Sequence, residues 1–136
     1  MTREHALSWE YPKLNDMSTE VNVAVNRLDT ILPLRSGLKS LDAQDAALYC
    51  RLVNSYVAQG HTLSRDEAAS HVSNVDQSFS NILHNKLIVI DADGNPSGAY
   101  PFTSEKREHK VHINDIPVHC MCALDALSVS SMFNTP

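Results

Sequence analysis

Apolar residues recur along this chain with two different periods, helical first and strand-like later. From Ser18, Val21, Val23, Val25, Leu28, Ile31 and Leu32 follow one another at roughly helical spacing, which predicts a first helix closed by Pro33 and Gly37. A second stripe (Ala46, Ala47, Tyr49, Cys50, Leu52, Val53, Tyr56 and Val57) predicts a helix from about Asp42 to Gln59, stopped by Gly60. Ser64-Arg65-Asp66-Glu67 has capping-box spacing and opens a short helix through Val72, after which Ser73 caps another from Asn74 to about His84. Two short, tightly joined helices suggest a helix-turn-helix unit. The period then changes: Leu87-Ile88-Val89-Ile90 is a compact β-like run, and Asp93-Gly94-Asn95-Pro96 is a turn. Ala99 to Phe102, Lys110 to Ile113 and Pro117 to Cys120 are further strands, and Ala123 to about Met132 is a last short helix.

The expected fold is therefore α+β. An arm at 1–16, in which Trp9 and Tyr11 dock on the body, precedes a helical, winged-helix-like lobe at 17–86 and a strand-rich segment at 87–136 that ends in a short C-terminal helix. At 136 residues the chain suits one compact domain or two small lobes, long enough to bury about two thirds of its unfolded surface. Hydrophobic residues make up 43% and charged residues 20%, which argues against a disordered chain and moves attention to local sites.

Charge narrows the partners. Lys and Arg number 11 against 16 Asp and Glu, so the net charge of −5 repels phosphate backbones and anionic membranes, and nucleic acid is a disfavoured partner. Met1 to Leu7 lacks the sustained apolar core of a secretory signal, and no later segment approaches a membrane span. Three unevenly spaced cysteines do not resemble a disulfide framework, and a reducing cytoplasm is the expected compartment.

Candidate chemistry is concentrated at His119-Cys120-Met121-Cys122-Ala123-Leu124-Asp125-Ala126-Leu127. If a helix starts near Cys122, its thiol and the Asp125 carboxyl, three residues apart, project from one face. The helix start favours a thiolate through its unpaired N–H groups and the positive end of its dipole. Cys122 is then the candidate nucleophile or soft-metal ligand, with Asp125 as its proton partner. Asp125 also has a plainer role as a first-turn acid. Cys120 shares a face with Cys122 if the strand continues through Met121 and diverges from it if the helix begins there; two thiolates on one face suit Cu(I) or Hg(II). His119 is a further candidate ligand, although the spacing of His109, His112 and His119 fits no zinc pattern. Cys50, in the middle of an apolar stripe, reads as a small buried hydrophobe.

Cys122-Ala123-Leu124-Asp125-Ala126-Leu127, preceded by a strand from Val118, resembles the organomercurial (alkylmercury) lyases. Members of that family couple an N-terminal helical, winged-helix-like region to a catalytic part that begins with a strand, a cysteine and the segment Cys-Ala-Leu-Asp. The likeness is motif-level over 118–127 and architectural over about 20–117. It implies protonolysis of carbon–mercury bonds without an organic cofactor, mercury being part of the substrate. Cys122 would be the thiolate that captures mercury, and Asp125 the group that helps deliver a proton to the departing carbon. The family's second catalytic cysteine lies well downstream of this segment, and within these residues Cys120 is the nearby substitute.

Two other readings stand beside this one. The first is a thiol metal-binding or metal-sensing protein that uses Cys120, Cys122 and His119 without breaking a bond. The second is a DNA-binding regulator, against which the helix at Asn74 to His84 carries Asp76 and no Lys or Arg. The implied partner is a small organometallic or metal-ion ligand, and a homodimer that brings Cys122 near a thiol of a second subunit is compatible with the sequence.

Overall fold

The computed structural model describes residues 33–133 together with residues 19, 23, 24, 26 and 27, the last five of them helical. The arm at 1–16 and most of the helix expected from Ser18 to Leu32 lie outside the described residues.

Pro33 opens a helix, α1 (Pro33–Ser40), where the sequence led us to expect a stop. The reason is that proline at the first helical position surrenders an N–H that would be unpaired anyway and already has a helical φ. Gly37 sits inside this helix because another part of the chain lies against it. A Cβ there would stand 2.9 Å from the Asn85 carbonyl oxygen and 3.2 Å from Leu87 Cγ.

The central helix α2 (Ala43–Gln59) starts where Asp42 accepts the Asp45 N–H at 2.8 Å. It ends at Gly60, whose φ of 79° puts it in the left-handed region while its N–H reaches the Tyr56 carbonyl. Its buried face is Leu48, Tyr49, Leu52, Val53 and Tyr56; Ala47, placed on that face by the sequence pattern, is exposed. The short α3 (Arg65–Ala69) has both halves of the expected capping box, Glu67 N–H to Ser64 Oγ at 3.2 Å and Ser64 N–H to Glu67 Oε2 at 2.7 Å. It stops short of Val72. In α4 (Val75–His84) the cap is Asn74 and not Ser73, since the Asn74 side chain accepts the Gln77 N–H at 3.1 Å.

Five strands follow: β1 (Ile88–Ile90), β2 (Pro96–Ala99), β3 (Phe102–Thr103), β4 (Lys110–Ile113) and β5 (Ile116–Cys120). They form one antiparallel sheet in the order β1-β2-β3-β5-β4. The strand expected over Ala99 to Phe102 is instead a reversal. The chain turns at the cis Tyr100–Pro101 bond, so that Ala99 and Phe102 face each other across β2 and β3. Pro96 is the first residue of β2, a position where a missing N–H is tolerated. Between β4 and β5 the two-residue turn Asn114-Asp115 has φ of 49° and 65°, the hairpin geometry whose twist matches the strands.

A single core draws on both the helices and the sheet. Leu52, Val53 and Tyr56 of α2, Phe79 and Ile82 of α4, Phe102 of β3, Val118 and Cys120 of β5 and Val129 of the last helix belong to one buried cluster. Two tyrosines pin α2 to the sheet: Tyr49 donates its hydroxyl hydrogen to the Tyr100 carbonyl, and the Tyr56 hydroxyl is 2.7 Å from Ser104 Oγ. The last helix, α5 (Ala123–Phe133), packs on β4 and β5. The architecture is α+β, with helices first, then the antiparallel sheet and a short C-terminal helix. Among the described residues, no helix is long and apolar enough to cross a membrane.

Candidate thiol site at the start of the last helix

The junction between β5 and α5 is fixed by three successive N–H groups. Cys120 N–H donates to the His109 carbonyl at 2.8 Å, Met121 N–H to the Pro101 carbonyl at 2.9 Å, and Cys122 N–H to Asp125 Oδ2 at 3.1 Å. The first two extend the sheet's pairing past the strand end, and the third begins the helix. The Cys122 carbonyl accepts the Ala126 N–H at 3.2 Å, which makes Cys122 the N-cap residue of α5 and Asp125 its third helical residue. A side chain at that third position reaching back to the N-cap N–H is one half of a capping box. The helix therefore begins as the sequence required for the Cys122 and Asp125 side chains to meet.

They do meet. Cys122 is exposed, and its Sγ–H donates to Asp125 Oδ2 at 3.1 Å. Asp125 itself is only 2% exposed, so a single carboxylate oxygen, buried under the helix start, accepts both the backbone and the thiol hydrogen of Cys122. The arrangement places an accessible sulfur next to an acceptor that can take its proton without a water in between. The positive end of the helix dipole lies at the same place and favours negative charge at the helix start.

Cys120 lies one residue before this turn and faces the other way. Its side chain is fully buried, and burial, with the nearby charges of Asp125 and Cys122, pushes its thiol up to about 11 from an ordinary 9.0. It lies close enough to feel both site residues, yet it is a packed, protonated thiol. His119 is on the opposite face of β5 from Cys120, as alternate strand residues must be. Its Nδ1 accepts the Arg107 N–H at 3.1 Å and stands 2.8 Å from the Arg107 carbonyl, so the imidazole serves the loop before β4. The fold thus unites Cys122 with Asp125, sets Cys120 beneath them and directs His119 elsewhere. Among the described residues, no group of three His, Cys, Asp or Glu side chains converges as a metal site would. Cys50 is half-buried, and burial raises its thiol too.

Sequence reasoning missed Tyr49 as a neighbour of the site. Its hydroxyl is raised well above the ordinary value of 10.0, chiefly by burial and further by Cys50, Tyr100 and Asp125. In the sequence Tyr49 is one more member of an apolar stripe, 76 positions before Asp125, and no local signal links the two. Met121, between the two cysteines, also has a definite place. Its Cε would be 2.9 Å from a Cβ on Gly98, so the side chain lies over β2 and requires a glycine under it.

No protein-family model matches this chain, and no curated protein matches it.

Proposed function

We propose that this protein carries out organomercurial lyase-type chemistry, with Cys122 as the mercury-capturing sulfur and Asp125 as the proton carrier. The observation behind this reading is the 3.1 Å contact between an exposed thiol and a buried carboxylate oxygen at a helix start. A substrate R–Hg–X approaches Cys122, a sulfur–mercury bond forms, X⁻ leaves, and the thiol proton passes to Asp125 Oδ2. Asp125 then gives that proton to the carbon bound to mercury. The carbon–mercury bond breaks with its electron pair going into the new C–H bond, R–H departs, and Hg(II) stays on Cys122 until solution thiolates remove it. A soft thiolate is a strong mercury ligand, and one carboxyl acts as base in the first step and acid in the second. A reducing cytoplasm is the compartment this reading implies, because Cys122 must be a free thiol.

The test is incubation with a phenylmercury salt and excess small-molecule thiol while benzene is measured in the headspace. Benzene release well above the Cys122→Ser background is the expected result. Release no greater than that background removes the enzyme reading.

A second reading is retention of a soft metal ion without bond cleavage, favoured by one specific feature. Cys120 is buried and held protonated up to about pH 11, so capture rests on one exposed sulfur and lacks the charge that a second thiolate would push toward carbon. On that reading phenylmercury binds one to one at Cys122 and no benzene appears. A DNA-binding role has less in its favour: the exposed residues of α4 include Asp76, Gln77, Ser80 and His84, with no Lys or Arg to meet phosphates.

A further inference from the structure

The strand order leaves β4 at one end of the sheet, paired with β5 alone. Cys120 N–H donates to the His109 carbonyl at 2.8 Å, and hydrogen-bonded pairs alternate along an antiparallel ladder. The backbone groups of Val111 and Ile113 therefore face β5 as those of His109 do, while the N–H and C=O groups of Lys110 and His112 face outward. Both of these residues are exposed, and among the described residues no hydrogen bond reaches their outward groups. The opposite end of the sheet differs. There β1 is three residues long and its pairing shifts register between Val89 and Ile90. A bulge of that kind guards a sheet edge against further pairing; β4 has neither a bulge nor a proline and keeps one register over its four residues.

Side chains alternate across this strand. Ile113 is buried in the core and Val111 is half-buried at its margin, so Lys110 and His112 stand on the open side of the sheet. The register sets His119 of β5 directly across from Lys110. Arg107 is taken up by Glu105, whereas among the described residues no carboxylate pairs with Lys110. Glu108 and Asp115, both exposed, bracket the strand at its two ends. The edge thus presents backbone donors and acceptors, with an ammonium and imidazole N–H groups on one side and a half-buried valine on the other. A second copy of β4 is a poor match. A register that pairs both residues with such a copy sets lysine against lysine or against histidine, and like groups directly opposite each other destabilise a strand pair.

We propose that the β4 edge adds an extended peptide segment of another protein, with two carboxylates opposite Lys110 and His112 and an apolar residue between them that packs beside Val111. Main-chain hydrogen bonds to the outward groups of β4 supply the affinity, and the alternation of acidic and apolar residues selects the partner. Acids placed further along the segment would meet Glu108 or Asp115, so the pair two residues apart is the feature that the edge reads. The net charge of −5 opposes an acidic partner only at long range, because physiological salt screens charges beyond about 8 Å and the contact with Lys110 is local. A nucleic acid fits less well. It brings phosphates but no row of N–H and C=O groups to match the strand, and the outward carbonyls of Lys110 and His112 repel phosphate oxygens. Neither residue belongs to the Cys122 site, so the proposal stands apart from the lyase reading.

The experiment is an NMR titration of the full ¹⁵N-labelled chain with the peptide acetyl-Thr-Val-Glu-Val-Glu-Val-Thr-amide, using as control the same peptide with lysine in place of both glutamates. The acidic peptide is expected to shift the amide signals of Lys110 and His112 saturably in the millimolar range. It should also slow hydrogen exchange at those two amides by at least about tenfold, while the Val111 and Ile113 amides, already bonded to β5, change little. The lysine peptide should do neither. Lys110→Glu, a change at an exposed position, should weaken the acidic peptide by at least about tenfold and admit the lysine peptide. His112→Pro removes one outward N–H and should abolish binding of the acidic peptide; should it fail to fold, Lys110→Glu decides. Cys122→Ser should bind the acidic peptide as the unaltered protein does. No saturable shift at Lys110 and His112, an equal response to the lysine peptide or to a short single-stranded oligothymidine, or binding within about threefold of the original in folded Lys110→Glu protein would each overturn the proposal.

Discussion

Asp125→Asn separates capture of mercury from cleavage of its carbon bond. The amide oxygen of asparagine can still accept the Cys122 N–H that Asp125 Oδ2 accepts at 3.1 Å, so the first turn of α5 keeps its anchor. What is lost is the favourable placement of a charge at the helix start, about 0.3–1 kcal/mol, offset by no longer burying that charge in a side chain only 2% exposed. Stability should therefore change by less than about 1 kcal/mol. Asp125→Ala, by contrast, also removes the cap and leaves a small void, and should cost about 1–3 kcal/mol more. Chemistry responds differently. An amide cannot take the proton from Cys122 Sγ and return it to carbon, and loss of one positioned acid–base group slows such a step by roughly 10²–10⁴-fold, or about 3–5 kcal/mol of barrier. The assay has two arms: stoichiometric phenylmercury uptake followed by intact-protein mass, and benzene release per bound mercury under single turnover. Asp125→Asn should retain uptake and lose release. Benzene release within threefold of the original protein refutes Asp125 as the proton carrier, and loss of uptake in a well-folded variant shows that the carboxylate acts on capture and not on cleavage.

Three more outcomes follow from the same geometry. Iodoacetamide at neutral pH should modify Cys122 first, because Cys120 is fully buried and Cys50 is half-buried with a raised thiol; peptide mapping that finds Cys120 labelled first would contradict the placement of β5. Stability should fall as pH rises through the interval from 9.0 to about 11, since the unfolded chain releases the Cys120 proton before the folded one does. The loss is at most about 3 kcal/mol, is fully absent below pH 9, and should be smaller in Cys120→Ala when both are followed by urea melts. Gly98→Ala puts a methyl group 2.9 Å from Met121 Cε and 3.3 Å from the Phe102 carbonyl; the methionine can swing away and the carbonyl cannot, so a cost of about 1–2 kcal/mol in thermal or urea unfolding is expected, and an unchanged midpoint would refute the close packing.

Much of this fold was legible in the chain because its signals are local. The period of the α2 stripe, Gly60 after it, the Ser64 and Glu67 pair, and the Lys110–Ile113 and Ile116–Cys120 strands depend on propensities and caps that a short window contains. The misreadings also have local explanations. Pro33 could end one helix or begin the next, since proline suits both places, and only the packing of Gly37 against Asn85 and Leu87 shows that a helix runs through that stretch. Ala99 to Phe102 has strand-forming residues, yet the β2–β3 reversal falls in the middle of them, and the Tyr100 carbonyl at that turn accepts the hydroxyl hydrogen of Tyr49, 51 residues earlier in the chain.

The site divides along the same line. Residue type and a spacing of three were enough to put a thiol and a carboxyl on one face of a helix start, because both lie within a single turn and helix geometry sets their separation. Burial was not available from that spacing. Whether Cys122 met solvent, whether Asp125 was covered, and whether Cys120 and His119 joined them depended on β5 pairing with β3 and β4 and on α2 closing over the sheet. Those contacts join residues far apart in the chain, and exposure and charge environment are properties of what surrounds a group, which no stretch of sequence carries by itself.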